Sequence, residues 1–235
     1  IEIGMIGMIK VKNIDNAIIE VCKKLHHSGV EVAPRGFKTK ELQNCFIEMD
    51  GKESPIITLP ERKLSRNYLE AELEWYKSGD PKIDYIKKYS TFWEGLTDEN
   101  ETINSNYGKL AIIDKYSGTS QLDWCIDQLK EDSFTRQAII NYNQPQHKYK
   151  NNKDFVCTIA QQFILSHDKK LDSLVTMRSN DLIYGFSYDV PWFNYLHKFV
   201  AEKTHLEVGK YRHFATSMHV YKRHFEMVEK IALRY

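Results

Sequence analysis

The sequence predicts an α+β fold. Helix and strand signals fall in groups without strict strand–helix alternation, which argues against a doubly wound parallel sheet. Three strand candidates stand close together at residues 137–142, 155–165 and 173–177, parted by polar turns. A chain of 235 residues with 42% hydrophobic content is long enough for one sizeable core, so residues 1–235 are read as a single domain.

From residue 13 to 27 apolar side chains recur at Ile14, Ala17, Ile18, Val21, Cys22 and Leu25, the stripe of a helix with Gly29 as its C-cap. Residues 37–49 alternate well enough for a strand, closed by the turn signal Asp50-Gly51. A second helix is expected over 61–77, stopped by Ser78-Gly79-Asp80-Pro81. A polar loop over 97–106 follows Trp93, and Leu122, Cys125, Ile126 and Leu129 share one face of a helix over 120–129. Residues 143–153, rich in Asn, Gln and Lys, read as an exposed loop between the first two clustered strands. Pro191 in a first turn predicts a buried helix over 192–203. A strand over 214–220 and a closing helix over 223–233 complete the chain, with no internal repeat.

Composition narrows the function. Lys plus Arg number 33 against 32 acidic residues, so no basic excess advertises nucleic acid as a partner. The four cysteines, Cys22, Cys45, Cys125 and Cys157, form no CxxC pair, which fits neither a zinc site nor a disulfide scaffold and suits a reducing cytoplasm. His219 and His224 straddle an expected strand-to-helix change, poor metal-ligand geometry, and no metal is expected. No apolar run is long enough for a membrane span, and IEIGMIGMIK makes a poor signal peptide. The chain opens on Ile1 rather than methionine, so a trimmed start is expected.

The segment 154–189 holds the chemistry. Cys157 lies in a strand-like apolar stretch; a thiolate is a strong nucleophile when cations or amide donors lower its pKa, whereas a lone strand cysteine is more often a small buried hydrophobe. Arg178 offers a planar donor fork that matches phosphate, and the Ser179 hydroxyl adds a donor; a surface ion pair is the plain alternative for the arginine. Asp189 can read a pyrimidine edge or cap the helix starting near Pro191. His219 and Tyr221 point to one strand face. Glu72, beside Leu73 and Trp75, can carry a raised pKa if it faces a site, and Trp93 can equally be core.

Several motifs resemble the thymidylate synthase superfamily: Cys157, the run Arg178-Ser179-Asn180-Asp181, Gly185 and His219-Val220-Tyr221, with Glu72-Leu73-Glu74-Trp75 and Asn104-Ser105-Asn106-Tyr107-Gly108 upstream. The likeness spans about 72–228 with its spacing kept. Within the superfamily the chain is most similar to the deoxycytidylate (dCMP) and cytidylate (CMP) hydroxymethylases, on Glu-Trp-Tyr-Lys-Ser, Ile-Asn-Ser-Asn-Tyr-Gly, Met-Arg-Ser-Asn-Asp and His-Val-Tyr-x-Arg-His-Phe. The resemblance implies a central, mostly antiparallel or mixed sheet flanked by helices, and a homodimer formed through that sheet.

It also implies roles. Cys157 would attack C6 of the pyrimidine, Glu72 would order a water, and Tyr107 joins these with Asp189 in the catalytic set. Arg178, Ser179 and, across the dimer interface, Arg136 would hold the phosphate. The second arginine expected after Arg136 is Gln137, a lost charge, while Arg35, with Lys38 nearby, stands one residue from the family position of another. His219 and Tyr221 would hold the sugar 3′-hydroxyl. Trp93, Asp181, Gly185 and Tyr188 would line the folate, 5,10-methylenetetrahydrofolate as co-substrate.

Asp189 replaces the asparagine of thymidylate synthases and favours cytosine, because a carboxyl accepts from N4 and, when protonated, donates to N3; ionised against uracil O4 it repels. Ser179 and Arg136 keep the deoxy pattern, so dCMP is favoured with CMP close behind. The short run after the last motif, ending at Arg234-Tyr235, leaves little tail to seal the cavity and favours water as final acceptor. The rivals are a thymidylate synthase or dUMP hydroxymethylase, and a noncatalytic nucleotide- or RNA-binding relative, against which near-neutral charge and Cys157 argue.

Overall fold

A computed structural model of the chain describes residues 7–97 and 101–235. Positions 1–6 of the N-terminal stretch and 98–100 of the expected polar loop lie outside the described residues.

After β1 (Ile9–Lys10), Asn13 caps α1 (Ile14–Ser28) by accepting from the Asn16 amide, and the forecast apolar stripe is wholly buried. β2 (Val30–Val32) and β3 (Thr39–Asp50) pair antiparallel around an exposed turn. β2 is only three residues, too short to register as a strand, hence its absence from the sequence reading. α2 (Arg66–Ser78) starts later than expected because Ser65 is its N-cap, accepting from the Tyr68 amide; residues 61–64 lead into it. Gly79 ends it in the left-handed conformation. The hairpin of β4 (Lys115–Tyr116) and β5 (Thr119–Ser120) precedes α3 (Gln121–Glu131), capped by Ser120.

β6 (Ile139–Asn141), β7 (Thr158–Leu165), β8 (Lys170–Met177) and β9 (Asn180–Asp181) come next. A wide turn at Leu182–Phe186 runs into α4 (Ser187–Thr204), then β10 (Glu207–Tyr221) and α5 (Phe225–Arg234). α4 thus starts five residues before the forecast 192. Asp181 Oδ1 accepts from the Ile183 amide and opens the turn, so Pro191 falls inside the helix. β10 is more than twice the forecast length. Arg212 breaks the apolar pattern there because it bonds Glu48 and Asp172 on neighbouring strands, a pairing that only the sheet creates. The loop 143–153 is largely exposed, with Asn143 and Asn152 half-buried and Gln144 and His147 buried, the last two capping each other.

The sheet is mixed, ordered β1-β3-β10-β8-β7-β6, with β2 added on β3 and β9 on β10. β10 is its spine, antiparallel to β3 and parallel to β8 and β9. The helix pair α1 and α5 packs together, α1 also on β3, while α4 packs on β8 and β10 and meets α2 and α3. The fully buried Trp75, Trp192, Tyr142, Phe163 and Phe193 fill the core between these layers. At one point backbones almost touch: a Cβ on Gly108 would lie 1.5 Å from the Tyr76 carbonyl oxygen, which lets the chain after Tyr107 lie against the end of α2.

Candidate active site

Cys157 stands just before β7 rather than within a strand, because the ladder to β8 begins at Thr158 and is broken by an irregularity there. The Arg178 amide still donates to the Cys157 carbonyl at 3.0 Å. The approach to Cys157 is pinned by Asp154, whose carboxylate accepts from both the amide (2.7 Å) and the hydroxyl (2.9 Å) of Ser105. Asn104 donates to the Asp154 carbonyl at 3.0 Å. In this way Asn104 and Ser105 hold the segment that leads to Cys157.

Arg178 reaches the cysteine. Its Nη2 lies 3.4 Å from Sγ, while the side chain also donates to the carbonyls of Phe155 and Val156 and lies over the Phe155 ring. Burial raises the thiol pKa above its ordinary value; Arg178 and then Arg35 draw it down, and Asp189 and Asp154 push it up. The lowering by cations on which an abundant thiolate depends is therefore present at Cys157, but desolvation outweighs it here.

Two more carboxyls belong with this corner through their charges, Asp189 acting on Cys157 and in turn on Glu72. Glu72, on α2, is buried and accepts from Tyr68 Oη at 2.6 Å, and Trp93 Nε1 donates to that same hydroxyl at 3.0 Å. Desolvation raises Glu72 to about 8 despite the Tyr68 hydrogen bond, with the Asp189 charge adding. Asp189 is half-buried within the first turn of α4, not at its N-cap, which is Phe186. Its Oδ2 accepts from Asn180 Nδ2 at 2.8 Å. Desolvation lifts Asp189 to about 7, Asn180 opposing and Asp181 assisting. Tyr107 is buried among Tyr76, Tyr142 and Phe193, and the charges of Asp189 and Cys157 bear on its hydroxyl.

The other expected residues divide. Trp93 is core-like, edge-on to Trp75 at 4.9 Å, and Tyr188 packs edge-on to Tyr68 at 4.7 Å with Arg62 over its ring. The space a Gly185 side chain would take is filled by Asn180, 2.6 Å from the ideal Cβ. His219 and Tyr221 are half-buried on β10 with rings 5.4 Å apart. Ser179 is half-buried, and Arg136 and Arg35 are exposed. Lys38 is exposed and ion-paired to Glu31 at 2.6 Å. Tyr68, Asn180, His213 and Asp154 were not singled out from sequence, although Asn180 sits inside the quoted motif. Among the described residues no group of three or more His, Cys, Asp or Glu is arranged to hold a metal ion, and no helix is long and apolar enough to cross a membrane.

The mixed sheet thus carries Cys157 with Arg178 at its sulfur, Asp189 whose charge bears on that thiol, and Glu72 whose carboxyl feels Asp189, the kinds of group that group-transfer chemistry uses. The sequence model of the family described as Thymidylate synthase matches residues 16–235, and the chain belongs to that family, whose enzymes transfer one-carbon groups to a pyrimidine nucleotide with methylenetetrahydrofolate as co-substrate.

Similar proteins include the deoxycytidylate 5-hydroxymethyltransferase of Enterobacteria phage T4, 34% identical over 179 residues, 71% of each chain. The deoxyuridylate hydroxymethyltransferase of Pseudomonas phage M6 is 26% identical over 238 residues, 96% of this chain and 64% of that protein. Among solved structures, thermostable thymidylate synthase A from Bacillus subtilis superposes with a TM-score of 0.77 at 23% identity, covering 94% of this chain and 84% of that one.

Proposed function

We propose that the chain is a cytidine-nucleotide hydroxymethylase. It moves the one-carbon unit of 5,10-methylenetetrahydrofolate to C5 of dCMP, with CMP a close second, and adds water to give the 5-hydroxymethyl nucleotide and tetrahydrofolate. The observation that carries this reading is Asp189, a carboxyl near neutrality at about 7 that accepts one amide proton from Asn180. Such a group can accept from cytosine N4 and give a proton to N3, whereas ionised it repels uracil O4. The 34% identity to a deoxycytidylate enzyme agrees, and the likeness to deoxyuridylate enzymes keeps the uracil alternative open to test.

In this reading Cys157 Sγ bonds C6, which makes C5 nucleophilic. The bound folate supplies the electrophilic methylene. A base removes the C5 proton as the carbon–nitrogen bond to the folate breaks, leaving an exocyclic methylene on the ring. Glu72, with Tyr68 and Trp93 behind it, directs a water onto that carbon. The C6–S bond then breaks and restores Cys157. The aromatic cluster of Trp93, Tyr68 and Tyr188, with Asp181 at the turn beside it, suits a flat heterocycle, and Arg178, Ser179 and Arg136 suit a phosphate. Arg136 is exposed beside β6, as a residue shared across a homodimer would be, and the half-buried pair Phe46 and Phe214 gives the sheet an apolar patch for that contact.

The test is tritium release from C5-tritiated dCMP, CMP and dUMP with the folate, with product mass read alongside. Release from dCMP and a product heavier by one hydroxymethyl group support the proposal. Preferential release from dUMP overturns the reading of Asp189, and no release from any of the three favours a binding protein.

A further inference from the structure

A file of buried polar groups stands behind Asp189. Tyr211 and His213, two apart on β10, touch through Oη and Nδ1 at 3.2 Å. His213 Nε2 lies 3.0 Å from Asn180 Oδ1, and Asn180 Nδ2 donates to Asp189 Oδ2 at 2.8 Å. Tyr211, His213 and Asn180 are at most 3% exposed. Burial holds His213 neutral, with its pKa lowered to about 3. A neutral imidazole has one donor and one acceptor. With the Asn180 amide donating to Asp189, its Oδ1 faces His213 and requires the Nε2–H tautomer, which leaves Nδ1 to accept from Tyr211. Every group is then matched, and the amide turns over only by breaking both of its bonds. Gly185 completes the arrangement, since a Cβ there would lie 2.6 Å from Asn180 Nδ2 and 3.3 Å from Asp189 Oδ2.

A neutral carboxylic acid pairs with an amino- or an oxo-pyrimidine according to which oxygen holds its proton. The N–H bond from Asn180 makes Oδ2 less basic, so the proton goes to Oδ1, and Oδ2 keeps a second lone pair for an amino hydrogen. An oxo-pyrimidine in the same pose needs the proton on Oδ2, which the Asn180 donor opposes. We propose that Asn180, aligned by His213 and given room by Gly185, fixes Asp189 as donor at Oδ1 and acceptor at Oδ2 and thereby selects a pyrimidine bearing an exocyclic amine over its oxo counterpart. Asn180 and His213 are positioning residues, and the inference rests on Asp189 reading the base as described above. Glu72, Asp181, Cys157, Tyr76, Tyr107 and Tyr211 are titratable groups that interact with Asp189 through charge.

The experiment measures kcat/KM for dCMP and dUMP, and its pH profile, in the parent, Asn180→Ala, His213→Leu and His213→Gln. Asn180→Ala and His213→Leu are each expected to lower the dCMP-to-dUMP ratio by roughly tenfold, the worth of one misplaced hydrogen bond. In Asn180→Ala the descending pH limb moves upward, because a donor that lowers the Asp189 pKa is gone. His213→Gln, whose neutral amide can still offer an N–H, is expected to recover most of the ratio. Circular dichroism establishes that each variant is folded, and Asn180→Ser carries the test if Asn180→Ala is not. A folded Asn180 variant with the parent's ratio and pH limb overturns this inference and leaves the reading of Asp189 standing. A parent that prefers dUMP overturns both.

Discussion

Arg178 Nη2 points at Cys157 Sγ from 3.4 Å while the same guanidinium holds the carbonyls of Phe155 and Val156. The arginine therefore serves the thiol and its loop together. Arg178→Ala is expected to raise the Cys157 pKa further, because the cation that opposes desolvation is gone. Less of the sulfur is then thiolate near pH ~8, and alkylation by iodoacetamide should slow roughly tenfold. An alkylation rate equal to the parent's would show that the contact does not tune the sulfur.

Glu72 makes stability depend on pH. Burial raises its pKa from 4.5 to about 8, so the folded chain binds a proton there more tightly than the unfolded chain does. Its stabilising contribution is whole below 4.5 and is lost as pH climbs through about 8. Glu72→Gln keeps an acceptor for Tyr68 and removes the titration. Thermal melts of this variant are expected to vary less between pH 5 and about 8.5, and its Tm at the alkaline end should exceed the parent's by about 2–4 °C for each kcal/mol regained. Parallel melting curves for the two proteins would contradict the raised pKa.

Asp189→Asn exchanges a carboxyl for an amide whose donor and acceptor suit uracil. Its expected effect is an inverted preference, with the dCMP-to-dUMP ratio of kcat/KM falling by roughly 10–100-fold or more. A variant still faithful to dCMP would mean that another group reads the base.

Gly108→Ala places a methyl 1.5 Å from the Tyr76 carbonyl oxygen, a backbone atom that cannot step aside. The expected loss exceeds about 4 kcal/mol, in the range reserved for changes that force the backbone apart, and is read as a lowered urea midpoint or as insoluble protein. Tolerance of alanine here would show that α2 and the chain after Tyr107 move freely against each other.

Much of the scaffold was legible because its signals are local. The stripe of α1, the Ser120 start of α3 and the clustered strands β6 to β8 all follow from spacing and turn chemistry. What escaped depends on partners distant in sequence. Arg212 reads as a break in a strand until Glu48 and Asp172 are beside it, so the first half of β10, with Tyr211 and His213, went unseen. The start of α4 was hidden because Asp181 caps a wide turn ahead of Pro191. Within the site, the motifs singled out Cys157, Arg178 and Asp189 as candidates, and the structure brings Arg178 to the sulfur of Cys157; the direction of the thiol pKa depends on burial, which the string of letters does not carry.

β10 has one further bearing, on timing. Tyr211 and His213, which stand behind Asp189, lie on a strand that follows every other strand of the sheet in the chain and pairs with β3 from Lys210 on Asp50 to Tyr221 on Thr39, far upstream. During synthesis the thiol and both carboxyls leave the ribosome first and wait without that support. The central ladder of the sheet therefore closes only when β10 enters between β3 and β8, a late, long-range step of the kind that slows folding.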